Sequence, residues 1–465
     1  MLSMRIGLIN PNKKLKDASV HLGLGYLASY SRTQHSDINI ELLDTRVAKK
    51  KEYSSFLNSQ FDLIAITASS QVFEETIEIA QHFKSKSPTL PICLGGSHAS
   101  TEKEASIIDF PFDYAIIGEG EISFSKLIDH LKGNIKIKEV PGLIYKSDSG
   151  IQKNNSPALI SDLDEIPFPA FDLFKMNRYP QHRMTTSRGC PFDCVFCNST
   201  SLWTTKWRKR SPQNLVDEIK YLNENHGQKT ILFNDDSFNI DKKRVIEFCK
   251  SLISEKLGII WSTSIRVDLI NEEMASLMKE SGCYNVSIGI ESANDKVLQL
   301  MNKSITREKI QKGINILREA GIDVYGQFMI GNPGDTLDTI KESVAFVESS
   351  NLTGAEFYTA LPYKGSQLWD FVQKEANLLT SEPTYTYHNF NPRIIYETQD
   401  FPYNDRLEAI QLVSEKGYYY GLSHDHKIQL VDLGRTLAKL IQGILKGKLG
   451  NKIYLFLRSV YNRYK

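Results

Sequence analysis

From the start of the chain to about residue 135, short apolar runs alternate with stretches of helical period. The runs at 5–10 (RIGLIN), 38–44 (INIELLD), 63–69 (LIAITAS), 91–96 (PICLGG) and 114–120 (YAIIGEG) are largely apolar, as strands buried on both faces are. Each ends in Gly, Ser, Asn or Asp. Between them 22–33, 73–85 and 123–133 space their apolar residues as helices do. The pattern predicts a doubly wound α/β domain over 1–135, with its ligand at the carboxyl ends of the strands.

Residues 136–183 break the rhythm. A small hairpin is expected in GLIYKSDSGIQKN, followed by a linker rich in proline and aromatic residues, DEIPFPAFDLF, packed against something. Alternation resumes over 184–375. Strands are predicted at 183–189, 230–236, 259–266, 285–292, 324–331 and 355–361, with helices at 212–227, 242–256, 271–282, 307–321 and 336–350. Six such units predict a partial, TIM-like (β/α)6 barrel whose active site lies on the loops after its strands. From 376 to 465 the pattern passes through an aromatic stretch into a mainly helical C-terminal region.

Composition adds little to this picture but excludes much. The 465 residues are 41% hydrophobic and 24% charged, with a formal net charge of +1. No global field favours nucleic acid, and none is expected as a partner. The N-terminus lacks the h-region and cleavage site of a secretory signal, and no apolar run reaches membrane-span length. The expected location is the cytoplasm. Six cysteines are too few for a disulfide scaffold in a chain of this size.

Three of those six, Cys190, Cys194 and Cys197, share the loop SRGCPFDCVFCNST. Structural zinc needs a fourth ligand, and the nearest histidines are His182, across a predicted strand, and His226. A redox CxxC pair leaves Cys190 without a role. Three thiolates suit a [4Fe–4S] cluster with one iron open to an outside ligand. Cys93, Cys249 and Cys283 fall beside predicted strands and helices and read as core residues.

CPFDCVFC resembles the CxxxCxxC signature of radical S-adenosylmethionine (SAM) enzymes, including the aromatic Phe196 before the last cysteine. The resemblance implies that the open iron is chelated by SAM and that reductive cleavage yields a 5′-deoxyadenosyl radical. It also implies an external electron donor such as flavodoxin or ferredoxin. Other SAM contacts follow from it with less weight. Asp235 and Asp236 in NDDSF end the second barrel strand and serve equally well as helix caps. Arg266 ends the third strand, within reach of the SAM carboxylate, and Glu291 ends the fourth at the family's ribose position. Met329 to Thr336 resembles the family's IGxPGxT turn, whose glycines shape a strand-to-helix connection.

The first domain resembles the Rossmann-like cobalamin (B12)-binding domain that precedes some radical SAM barrels. HLGLGYLASYS, LGGSHAS and IIGEGE are similar to that domain's PxGLxYLAxxL, GGPHAT and GEGE segments. Leu22, Gly23, Gly95, Gly96, Ser97, Gly118, Glu119 and Gly120 are the cobalamin-binding positions this implies. The D-x-H-x-x-G motif is absent and the resemblance gives His98 no ligand role, so cobalamin without an axial histidine is expected. The resemblance covers residues 1–375 and implies a methyltransferase that methylates an unactivated carbon of a small-molecule or lipid-linked substrate. Ring contraction, cyclisation or oxidation is the alternative within the group, and a non-catalytic cobalamin or iron–sulfur sensor is the alternative outside it. The basic tail, with apolar residues at Val431, Leu437, Leu440, Ile441, Ile444 and Leu445, suits either core packing or peripheral contact with the inner face of the membrane.

Overall fold

The computed structural model describes residues 3–12, 19–156, 158–179, 181–199, 205–379 and 394–418. Five strands, β1 (Met4–Asn10), β2 (Ile38–Asp44), β3 (Leu63–Thr67), β4 (Ile92–Gly95) and β5 (Tyr114–Ile116), form a parallel sheet in the order β2-β1-β3-β4-β5. Ile6 pairs with Ile40 on one side and Leu63 on the other, so β1 is buried among apolar neighbours. Helices α1 (Leu22–Gln34) and α5 (Glu121–Leu131) cover one face, while α2 (Lys50–Leu57) and α3 (Phe73–Lys86) cover the other. The short α4 (Ser97–Glu102) follows β4. The connections from β1 and β3 therefore leave in opposite directions, and a crevice opens between those strand ends.

The expected hairpin is present as β6 (Leu143–Ser147) and β7 (Gly150–Lys153), and it extends the first sheet antiparallel to β5. The linker after it packs both ways. Ala170 sits in the first sheet's core, while Phe171, Phe174 and Tyr179 enter the core of the second. Ala170 N–H donates to the Gly25 carbonyl at 3.0 Å, and the Tyr179 hydroxyl donates to Asp44 at 3.1 Å.

The second sheet is parallel throughout: β8 (His182–Met184), β11 (Thr230–Phe233), β12 (Ile260–Ile265), β13 (Cys283–Glu291), β14 (Asp323–Ile330) and β15 (Gly354–Thr359) lie side by side in that order. Helices α6 (Pro212–His226), α7 (Lys242–Glu255), α8 (Glu272–Glu280), α9 (Asp295–Leu300), α10 (Arg307–Glu319), α11 (Leu337–Ser349) and α12 (Gln367–Glu375) alternate with these strands. This is the predicted open barrel of six units. α6 shows why the sequence delimits its elements so clearly. Ser211 caps its start by accepting from Asn214 N–H at 3.2 Å, Pro212 takes the first helical position, and Gly227 ends it at φ +65°.

The predicted first barrel strand is interrupted. After β8 the chain enters a two-stranded antiparallel ribbon, β9 (Ser187–Arg188) with β10 (Arg208–Lys209), and the cysteine loop leaves from its end. Beyond α12 a second ribbon, β16 (Asn377–Leu378) with β17 (Tyr396–Glu397), leads to α13 (Tyr403–Glu415), which lies against α11. The basic tail from 419 onward lies outside the described residues. Among the described residues no helix is long and apolar enough to cross a membrane. Cys93, Cys249 and Cys283 are buried, as expected of core residues.

Beneath the linker, Glu218 of α6 is fully buried and paired with Arg210 at 2.5 Å. Glu218→Ala strands a buried guanidinium and is expected to cost about 3–5 kcal/mol, read as a fall in the urea midpoint. Glu273→Ala, which removes an exposed partner of Lys242, is expected to cost less than about 1 kcal/mol in the same assay.

Candidate functional site

The cysteine loop is held on several sides. Val195 N–H donates to the Met301 carbonyl at 3.0 Å, Leu368 N–H donates to the Val195 carbonyl at 2.8 Å, and the Asn302 amide donates to the Asp193 carbonyl at 2.8 Å. Cys190, Cys194 and Cys197 are half-buried free thiols, and the Cys197 sulfur accepts from Ser199 N–H at 3.3 Å. Burial pushes the Cys190 and Cys194 thiols up, and that of Cys197 up to about 11. At Cys194 the charges of Lys303 and Arg266 oppose that effect. On their own these side chains are thiols at neutral pH, so binding iron releases protons. Among the described residues no three His, Cys, Asp or Glu side chains are arranged to hold a single metal ion. The donor set, three sulfurs on one fixed loop, is of the kind that ligates an iron–sulfur cluster.

The other expected SAM residues surround the loop, and Asp235, Asp236, Arg266 and Glu291 each have a partner within the protein. Asp235 is buried and accepts from Thr186 N–H at 3.2 Å, the Thr186 hydroxyl at 2.9 Å and the Ser187 hydroxyl at 2.5 Å. Its carboxylate shapes the turn into β9. Asp236 next to it is exposed to the cavity described below and accepts from the Ser199 hydroxyl at 2.5 Å. Arg266 lies over the Phe192 ring, 3.7 Å from its centroid, and is paired with Asp268 at 2.9 Å. Glu291 is buried at φ +68° and accepts from Lys303 at 2.9 Å. Lys303 also stands 5.5 Å from the centroid of Phe196. Sequence reasoning missed this lysine, since nothing in its neighbourhood pairs it with a residue twelve positions upstream.

A cavity of about 640 Å³ opens between the two sheets at the carboxyl ends of β1, β3 and β4. The three turns anticipated from the sequence, Leu22–Gly23, Gly95–Ser97 and Gly118–Gly120, all line it. A side chain at Gly95 or Gly118 would meet nothing within 4 Å and would project into open space. Gly96 is obligatory for another reason: at φ +92° a Cβ would stand 2.6 Å from the Ala68 carbonyl oxygen. The cradle fits a broad, flat ligand such as a corrin. His98 does not line the cavity. Its Nδ1 is 3.0 Å from the Ser70 hydroxyl and its ring stacks on Phe73 at 3.8 Å.

Glu119 faces the barrel. It pairs with Arg208 through a 3.0 Å hydrogen bond and stands 3.6 Å from Arg188, whose guanidinium also pairs with Glu121 at 2.6 Å. All four side chains are nearly buried. This cluster ties the third glycine turn to the ribbon that brackets the cysteine loop. It was invisible in the sequence, where its members lie in different domains.

Two family models match the chain: the radical SAM superfamily over residues 184–347 and the B12 binding domain over 14–128. The chain is 33% identical over 369 residues to an uncharacterized methyltransferase of Pyrococcus horikoshii, covering 77% of this chain and 80% of that protein. It is 27% identical over 390 residues to the anaerobic magnesium-protoporphyrin IX monomethyl ester cyclase of Rubrivivax gelatinosus, covering 79% and 69%. Among solved structures it is similar in fold to the radical S-adenosylmethionine methyltransferase TsrM of Kitasatospora setae with cobalamin and a [4Fe–4S] cluster bound. That match has a TM-score of 0.70 at 18% identity, covering 82% of this chain and 78% of that one.

Near the site, His98 and His182 are both buried, and burial lowers each pKa to about 4. The unfolded chain takes up protons at these residues below about pH 6.5 while the folded chain does not. Their contribution is therefore constant above that pH and falls as pH drops from about 6.5 toward 4. The urea midpoint of wild type is expected to fall through this window, and His182→Phe is expected to show a shallower fall.

Proposed function

Because the chain belongs to the radical SAM superfamily and carries a B12-binding domain ahead of its barrel, we propose that it is a cobalamin-dependent methyltransferase acting on an unactivated carbon of a small molecule. Membership implies a [4Fe–4S] cluster, SAM and cobalamin as cofactors. When bound, these groups supply a 5′-deoxyadenosyl radical and a transferable methyl group. The observation that carries the reading is a single chamber: one cavity is lined both by the three glycine turns and by Arg188, Gly189 and Asp236 beside the cysteine loop.

The residues then have definable tasks. Cys190, Cys194 and Cys197 ligate the cluster. Lys303 and Arg266 bring positive charge to Cys194, and Arg266 to Cys190, which favours the thiolate form of those two. Asp236, exposed to the cavity, is the carboxylate available to a bound SAM. The glycine turns let backbone approach a flat ring, and the Arg188–Glu121 pair joins the two domains at the wall of the chamber. A hydrogen atom and a methyl group are thereby handled in one chamber.

Anaerobic reconstitution tests the reading. About four irons and one cobalamin per chain are expected, and turnover is expected to release 5′-deoxyadenosine together with S-adenosylhomocysteine. Cys190→Ala is expected to lose the iron signal and 5′-deoxyadenosine formation while still binding cobalamin. 5′-Deoxyadenosine without S-adenosylhomocysteine would favour a second reading, cobalamin-dependent cyclisation or oxidation, which the likeness to a cyclase keeps in view. One zinc per chain would refute both.

A further inference from the structure

Burial along the barrel strands alternates, and the parity is informative. In β8, His182 and Met184 are buried, Met184 within the core under the barrel helices, so Arg183 between them faces the other side of the sheet. Ile231 and Phe233 of β11 sit in that same core. Parity therefore carries Asn234 and Asp236 to the face that Arg183 occupies, and all three line the cavity.

The arginines around this chamber otherwise have carboxylate partners. Arg46 pairs with Asp44 at 2.6 Å, Arg188 with Glu121 at 2.6 Å, Arg210 with Glu218 at 2.5 Å, and Arg208 with Glu119. Arg183 makes no ion pair among the described residues. Its hydrogen bond to the Asn234 side-chain oxygen is 3.4 Å long, and its Nε is buried without a partner. A guanidinium offers five N–H donors in a planar fork shaped for carboxylate or phosphoryl oxygens. In Arg183 the Nε is the one donor of the fork shut away from solvent without a partner among the described residues, and the terminal N–H groups face the cavity, where an anion can reach them.

We propose that Arg183 anchors the substrate by receiving an anionic oxygen group, a carboxylate or a phosphoryl. The word substrate rests on the methyltransferase reading above; the anion site does not. The barrel wall favours this assignment over a cofactor contact. The facing wall at the ends of β1, β3 and β4 offers the cofactor glycine, serine and asparagine, and its one arginine, Arg46, is already paired. Arg183 belongs to the opposite wall, in line with Asp236, which reaches the cysteine loop through Ser199.

The test uses the full chain reconstituted with cluster and cobalamin, titrated with phenylphosphonate, benzoate and the neutral isostere benzamide. Binding is followed by thermal shift and by calorimetry. One of the two anions is expected to bind wild type, at least about tenfold more weakly to Arg183→Gln, with partial recovery in Arg183→Lys. Which anion binds distinguishes a phosphoryl from a carboxylate substrate, and benzamide is expected to show no dependence on residue 183.

Binding of neither anion, or equal binding to wild type and Arg183→Gln, overturns the proposal. So does a loss of SAM affinity in Arg183→Gln, or a loss of affinity for cobalamin but not for cobinamide, since these assign the arginine to a cofactor's own carboxylate or phosphate. If Arg183→Gln fails to load four irons, Arg183→Lys alone decides, through its altered ratio of phosphonate to carboxylate affinity; an unaltered ratio overturns the proposal. Substrate-independent release of 5′-deoxyadenosine separates the two ideas. Anion binding through Arg183 without SAM cleavage defeats the methyltransferase reading and leaves the anion site; SAM cleavage without anion binding does the reverse.

Discussion

Four buried charges hold the two halves of this molecule in register. Arg188 and Arg208 extend from the ribbon that brackets the cysteine loop to Glu119 on the last glycine turn of the first domain and Glu121 at the start of α5. Two cations and two anions balance, so the seam carries no net charge. Burial removes hydration from all of them, and the mutual attraction roughly offsets that loss, so the cluster adds little net stability. What it does supply is geometry. A carboxylate and a guanidinium in a dry seam tolerate little displacement, because moving one partner leaves the other unsolvated. Tyr26 reinforces the seam: its ring lies 5.4 Å from the Arg188 guanidinium carbon and its hydroxyl accepts from Arg210 at 3.4 Å.

The chamber inherits its character from that seam and from strand parity. Residues of the barrel strands that face the helices are apolar, including Ile231, Phe233, Val286, Ile288 and Phe328. The other side carries Arg183, Asn234, Ser264, Ser287 and Gln327, none of them in that core. A closed barrel of eight strands fills its interior with side chains. Six strands leave the inner face open, and at the β8–β11 edge its polar residues Arg183 and Asn234 share a cavity with the glycine turns. The cysteine loop lies at the rim, fixed by backbone hydrogen bonds to the Met301 and Leu368 segments.

Much of this was legible in the chain because the signals are local. Strand runs, helix caps such as Ser211, and the spacing of Cys190, Cys194 and Cys197 all act over a few residues, and the elements fell where the pattern put them. The three glycine turns were found because each is a short segment with its own composition. What escaped was set by pairing across distance. Helix α2 is short and polar and gave no apolar period. The β9–β10 ribbon joins segments twenty residues apart. The partners of Asp235, Thr186 and Ser187, lie almost fifty residues upstream and left no mark near it in the chain. Lys303 became visible only through Glu291, and Arg183 only through the absence, among the described residues, of the partner its neighbours have.

The buried seam also limits how freely this architecture can be recombined. A crossover placed in the linker, between the first sheet and β8, exchanges Glu119 and Glu121 while leaving Arg188 and Arg208 behind. Such a chimera keeps its function only if the incoming domain brings carboxylates to the same two positions, since neutral replacements would strand two guanidinium groups in a dry interface. The two halves look modular along the chain, yet in lineage and in engineering they have to travel as a matched pair.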